Sequence, residues 1–178
     1  MKKTLTLIAS LALLVFFQNS ALAQRGPAAS PTATVKQAIG NTEMTIIYSR
    51  PSLAGRSLSS LAPNGKVWRT GANANTKINF NKDVTIGGKA LPAGEYSMYS
   101  IPGDGEWTII INKAKSWGTQ YDESQDAVRF TAKATTTDGS VETFRIDLTD
   151  FDNKAKDKAN LELAWGNVSV KFPIVVKN

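Results

Sequence analysis

The side chains best suited to hold a ligand are three arginines and a tryptophan set among glycine, proline and asparagine. Tyr48-Ser49-Arg50-Pro51 is followed by Gly55-Arg56, and Gly65-Lys66-Val67-Trp68-Arg69-Thr70-Gly71-Ala72-Asn73 comes soon after. A guanidinium is a planar fork that takes carboxylate or phosphate with two parallel hydrogen bonds and also stacks on aromatic faces. Trp68 offers a flat face of the kind a sugar ring covers. Arg50, Arg56, Trp68, Arg69 and Asn73 therefore form the candidate ligand-binding set, and at least three of them are expected to converge at one end of the sandwich around a shallow cationic pocket. The same residues have a second reading, in which Arg50 and Arg56 pin a long connection through backbone carbonyls and Trp68 plugs the core. The sequence leaves both open.

What is missing narrows the chemistry. The chain has no His and no Cys. That removes the commonest general base, the commonest transition-metal ligand, every thiolate mechanism and every disulfide. Hydrolysis by carboxylates alone remains, and it needs two of them across a cleft. Asp104, Glu106, Asp122, Glu123 and Asp126 are the loop candidates, and they are also ordinary turn residues. Asp147, Asp150, Asp152 and Asn153 form an oxygen-rich cluster without the spacing or the glycine of a calcium loop, so a solvated turn is the simpler reading. Asn167-Val168-Ser169 matches a glycosylation sequon at a strand start. No cofactor and no metal is implied.

Formal net charge is +6, and its distribution is uneven. Between Glu43 and Asp83 there is no acid, while Arg50, Arg56, Lys66, Arg69, Lys77 and Lys82 lie there. The C-terminal half is mildly acidic. Such asymmetry speaks to partners rather than to fold. An acidic glycan, a phosphate or a carboxylate ligand suits an exported protein better than nucleic acid does.

These loops need a frame, and the hydrophobic pattern supplies one. Met44, Ile46 and Tyr48 alternate with Thr45, Ile47 and Ser49. The same two-residue period runs through 128–135, 144–149, 161–165 and 168–176, the mark of strands with one buried face. Shorter strands are expected at Val35–Ile39, Thr76–Phe80, Val84–Ile86, Glu95–Ile101 and Trp107–Asn112. Turn signals lie at Gly87-Gly88, Pro102-Gly103-Asp104-Gly105, Asp138-Gly139 and Gly166-Asn167. About ten strands and at most two short helices, near Ser57–Leu61 and Glu123–Ala127, predict an all-β antiparallel sandwich, jelly-roll or immunoglobulin-like. Leu91-Pro92-Ala93-Gly94-Glu95-Tyr96 reads as a tyrosine corner, which gives Tyr96 a structural role.

The N-terminus carries an export signature. Lys2 and Lys3 precede an apolar run from Leu5 to Phe17, and Ala21-Leu22-Ala23 has the small-x-small form of a cleavage site. Residues 1–23 are expected to be a signal peptide cleaved after Ala23, 24–31 a flexible tether, and 32–178 one β domain. The apolar run is too short to span a bilayer, which needs about 20 residues.

The motifs Tyr48-Ser49-Arg50-Pro51, Gly65 to Asn73, Leu91 to Ser97, Ile101-Pro102-Gly103 and Trp107-Thr108-Ile109-Ile110 occur in an order and spacing that resembles the domain-of-unknown-function family numbered 2911. The resemblance runs from about Ser30 to the C-terminus. It implies an exported β domain of a Bacteroidetes-type bacterium, periplasmic or secreted, and carries no activity or site residues with it. The functional expectation thus rests on the residues: a non-enzymatic binding module for an anionic or carbohydrate ligand. A glycosidase-like carboxylate hydrolase and a structural partner of a surface complex are the alternatives.

Overall fold

The computed structural model describes residues 28–115 and 117–177. The expected signal peptide and residues 24–27 of the tether lie outside them. Nine strands form one antiparallel sheet: β1 (Thr32–Ile39), β2 (Thr42–Ser49), β3 (Thr76–Phe80), β4 (Val84–Ile86), β5 (Lys89–Leu91), β6 (Gly94–Ile101), β7 (Glu106–Asn112), β8 (Asp126–Thr149) and β9 (Lys158–Val176). Their order across the sheet is β1-β2-β3-β6-β7-β8-β9-β4-β5. The helical candidates are one turn at Leu58–Leu61 and a 3-10 turn at Glu123–Gln125. Among the described residues no helix is long and apolar enough to cross a membrane.

The sheet covers both sides of its own core because β8 changes partner midway. Its first part pairs with β7 up to Lys133, and from Ala134 onward it pairs with β9. The chain leaving β2 then joins the far wall. Ser52 bridges Thr143, and the Tyr48 hydroxyl accepts from the Ile146 amide at 3.0 Å. Alternating residues fill the space between. Met44, Ile46, Ile78, Met98, Ile109, Phe144, Leu161 and Ile174 are all essentially inaccessible.

Nine strands replace ten apolar runs for definite reasons. The runs at 128–135 and 144–149 are one strand, and so are those at 161–165 and 168–176. Asp138-Gly139 and Gly166-Asn167, expected as turns, lie inside β8 and β9. Pairing jumps from Thr136↔Val168 to Val141↔Gly166, so five steps along β8 face two along β9. Extra residues in one strand form bulges, which break the two-residue period without ending the strand. The short β5 had no apolar alternation to announce it.

One departure from alternation matters for the site. Outward-facing Ser97, Tyr99, Ile110 and Asn112 on β6 and β7 are as buried as the inward-facing residues. The connection from Lys113 to Gln125 folds back over this outer face and is held by the Lys113 amide on the Gln125 carbonyl at 2.8 Å. A sheet covered on both faces loses its polar–apolar alternation.

Candidate functional site

The candidate residues lie on the connection between β2 and β3, residues 50–75. Arg50 donates through Nε to the Phe144 carbonyl at 3.0 Å. Arg56 donates through Nε to Leu53 O at 2.9 Å and through Nη2 to Ser52 O at 3.0 Å. Both arginines clamp the stretch that crosses to β8. Arg69 instead uses Nη1, on the Asn73 carbonyl at 2.8 Å. Among the described residues none of the three pairs with an acid. The consequence is geometric. A carboxylate binds side-on to the Nε–Nη2 edge or end-on to the two Nη groups. Arg56 has both atoms of its side-on edge committed and Arg50 has one, whereas neither atom of that edge of Arg69 bonds to a described residue.

The backbone around Arg69 is strained and tightly held. Trp68 forms a two-bond bridge with Ser100, N–H to O at 2.7 and 2.9 Å. Its ring stacks on Trp165 at 5.5 Å between centroids and meets Phe144 and Trp107 edge-on. Trp68 is therefore a core residue with only a sliver of surface. Thr70 has φ of 51° and Asn73 φ of 58°. A β-branched residue at positive φ is a genuine outlier that persists only where surroundings over-determine it. They do here: Thr70 Oγ1 donates to Ser100 Oγ at 3.0 Å, and Thr76 Oγ1 donates to Thr70 O at 2.6 Å. Asn73 Nδ2 reaches the Ser30 carbonyl at 3.4 Å.

The opposing wall comes from the covering connection. Lys77, Ser97, Asn112 and Asp126 sit in cross-strand register on β3, β6, β7 and β8. Ser97 Oγ accepts from Asn75 Nδ2 at 2.6 Å and donates to the Ala114 carbonyl at 2.6 Å, and Asn112 Nδ2 donates to Asp122 O at 2.7 Å. Tyr121 Oη donates to Asp126 at 2.8 Å and accepts from Arg129 at 3.0 Å. Burial, with the hydrogen bond and charge of Asp126, pushes the Tyr121 hydroxyl up to about 12, so it stays neutral. Burial likewise lowers the Lys77 ammonium, against the opposing pull of Glu95. These bonds seat Gly118 against the arginine. With φ of 51°, a Cβ there would lie 3.0 Å from Asn73 O and 3.3 Å from Arg69 Nη1.

Between the walls is a pocket of about 220 Å³ lined by Trp68, Arg69, Tyr99, Gly118, Thr119 and Tyr121, with Leu61, Pro63 and Val67 at its side. Arg69 is the one charged residue in that lining. Val67, exposed by 43%, and Trp117, exposed by 67% and next to Gly118, are two of the few large apolar side chains left in solvent among the described residues. The structure thus gathers Trp68, Arg69 and Asn73 and leaves Arg50 and Arg56 elsewhere. Tyr99, Gly118, Thr119 and Tyr121 were not visible as site residues, because nothing in an alternating strand or a loop reveals that one folds over the other.

Most of the remaining candidates are engaged with other partners, and two of them share one arginine. Asp104 lines a separate groove. Asp122 caps the 3-10 turn, and Glu123 and Asp126 pair with Arg129. Of four clefts among the described residues, none is lined by two of the five carboxylates. In the acidic cluster the three aspartates each have their own partners, Asp147 accepting from the Leu148 amide. Asp152 accepts from the Lys154 and Ala155 amides, and hydrogen bonds from Asn160 and Lys171 hold the Asp150 carboxyl below its usual range. No three potential metal ligands come together among the described residues. Tyr96 Oη donates to the Pro92 carbonyl at 2.9 Å, four residues back.

Fold and geometry define an all-β protein in which a long loop braced on the sheet places Arg69 in the lining of a pocket that aromatic residues also line. The chain belongs to the family of proteins of unknown function DUF2911, whose model matches residues 30–174. No curated protein and no solved structure matches it.

Proposed function

We propose that this protein is a non-enzymatic binding module that takes a small anionic ligand in the Arg69 pocket. The observation that carries this reading is Arg69 itself: it lines a pocket with no acid among its described lining residues, is held through Nη1 by the Asn73 carbonyl, and bonds through neither Nε nor Nη2 to any described residue. A carboxylate would dock on Arg69 with its apolar body against Val67, Leu61 and Tyr121. The pocket is smaller than the roughly 300–1,000 Å³ typical of sites for drug-sized ligands. That size suits a single ring or short side chain. Two features support binding over hydrolysis: Glu123 and Asp126, the candidate acids that do come together, are both tied to Arg129, and the strained Thr70–Asn73 turn is the kind of backbone found at ligand clamps.

In this reading the protein acts outside the cytoplasm, with residues 1–23 removed. The support is the Lys2-Lys3 start, the Leu5–Phe17 run and Ala21-Leu22-Ala23. Intact mass of protein recovered from the native host should place the N-terminus at Gln24.

Benzoate is the probe for the pocket, with benzamide as its uncharged counterpart. Titration should show saturable binding of benzoate and none of benzamide. Arg69→Ala should weaken benzoate by about tenfold or more, the scale of a charge-assisted bidentate contact. Equal binding of the two probes, or full binding by Arg69→Ala, would remove the reading.

A further inference from the structure

A second concavity lies on the other flank of the same connection. It is a groove of about 370 Å³ between the helical turn at Leu58–Leu61, the β6–β7 hairpin and the place where β8 leaves β7 for β9. The sheet opens there because Ala134 makes the last bond toward the hairpin, to Gly105 O at 2.8 Å, before turning to Val170 on β9. The connection is fastened to the hairpin at two points: the Gly65 amide donates to Pro102 O at 2.8 Å, and Asn64 Nδ2 donates to Asp104 Oδ1 at 2.7 Å.

Its chemistry is unlike that of the Arg69 pocket. No cation lines it, and Asp104 is its single charge. One Asp104 oxygen is held by Asn64, which leaves the other as an oriented acceptor. Asn167 and Thr136 are exposed on its rim, and their side chains bond to none of the described residues. Trp107, Pro102 and Val168 supply an apolar floor. An anion would meet the Asp104 charge with nothing to offset it. A ligand with many neutral hydroxyls can donate to Asp104, exchange hydrogen bonds with the Asn167 amide and the Thr136 hydroxyl, and lay its C–H faces on the apolar floor. The volume lies within the roughly 300–1,000 Å³ range of small-molecule sites.

We infer that this groove is a binding site for an uncharged carbohydrate, distinct from the anion pocket. Asp104 is its principal acceptor, and Asn167 and Thr136 are its adaptable partners.

Calorimetric titration of the purified protein with maltotriose, cellotriose and chitotriose tests the inference, with trigalacturonate as the charged comparison. At least one neutral trisaccharide should bind at one site, and trigalacturonate at least about tenfold more weakly. Asp104→Asn should reduce binding by about tenfold, the effect of losing a charged acceptor. The double variant Asn167→Ala, Thr136→Val alters only exposed side chains and should do the same. Benzoate titrated in the same samples should neither compete nor change in affinity. Its failure to bind any sample would count against the Arg69 reading alone. The carbohydrate inference is overturned if none of the three neutral sugars binds, if trigalacturonate binds as well as they do, or if both variants bind like the parent.

Discussion

The two clefts share one loop and differ in almost everything else. Residues 58–68 wall the groove with Leu58, Ser59, Ala62 and Asn64, and wall the pocket with Leu61, Pro63, Val67 and Trp68. Trp107 lies under the groove and Trp68 under the pocket, and their rings touch edge-on with centroids 6.1 Å apart. On the pocket side the loop faces the connection over β6 and β7 and presents Arg69 to aromatic rings. On the groove side it faces the β6–β7 hairpin and presents amides and hydroxyls beside Asp104. The charge of each cleft therefore follows from what the loop packs against. Of the three arginines in the acid-free stretch, Arg69 alone lines the pocket.

The strongest way to break this contrast is to remove what the clefts share. Trp68→Ala deletes a ring packed on Trp165, Phe144 and Trp107, and it should lower unfolding stability by about 3–5 kcal/mol in urea titrations. Benzoate and trisaccharide binding should fall together. A loss below about 1 kcal/mol would mean that the two clefts do not rest on a common aromatic core. A narrower change separates them. Gly118→Ala places a Cβ against Asn73 O and Arg69 Nη1 at positive φ, which should cost about 1–2 kcal/mol. It should weaken benzoate binding while leaving the trisaccharide untouched. The smallest effect belongs to a bond remote from both clefts. Tyr96→Phe removes the hydroxyl bond to Pro92 and should lower stability by about 1 kcal/mol, with both affinities unchanged. A binding change in Tyr96→Phe would show that the corner reaches the loop, contrary to the contrast drawn here.

The sheet was legible because Met44-Ile46-Tyr48 and Val168 to Val176 alternate without interruption. The tyrosine bond to Pro92 had its own local pattern at Leu91 to Tyr96. The bulge at Asp138-Gly139 and the unbroken run of β9 through Gly166-Asn167 were not legible, since a glycine beside a polar residue signals a turn as readily as a strand interior. For the proposed site, composition singled out the loop that carries Arg69 but could not apportion its arginines. Arg50, Arg56 and Arg69 sit in similar surroundings along the chain. What distinguishes them is which nitrogen meets a carbonyl, and that depends on Phe144, far along the sequence, and on the turns at Leu53 and Asn73. Tyr99 and Tyr121 entered the site only because the connection after β7 folds back over the sheet, a contact with no periodic signature.

That difference among the arginines is also the most direct point of attack. Nitrogen-15 spectra resolve arginine Nε–H groups, and single Arg→Ala variants assign them. During a benzoate titration the Arg69 Nε–H resonance should shift and saturate. Those of Arg50 and Arg56, whose Nε atoms already donate to Phe144 and Leu53, should stay in place. A saturating shift at Arg50 or Arg56, or no shift at Arg69, would contradict the assignment of Arg69 as the anion-binding group.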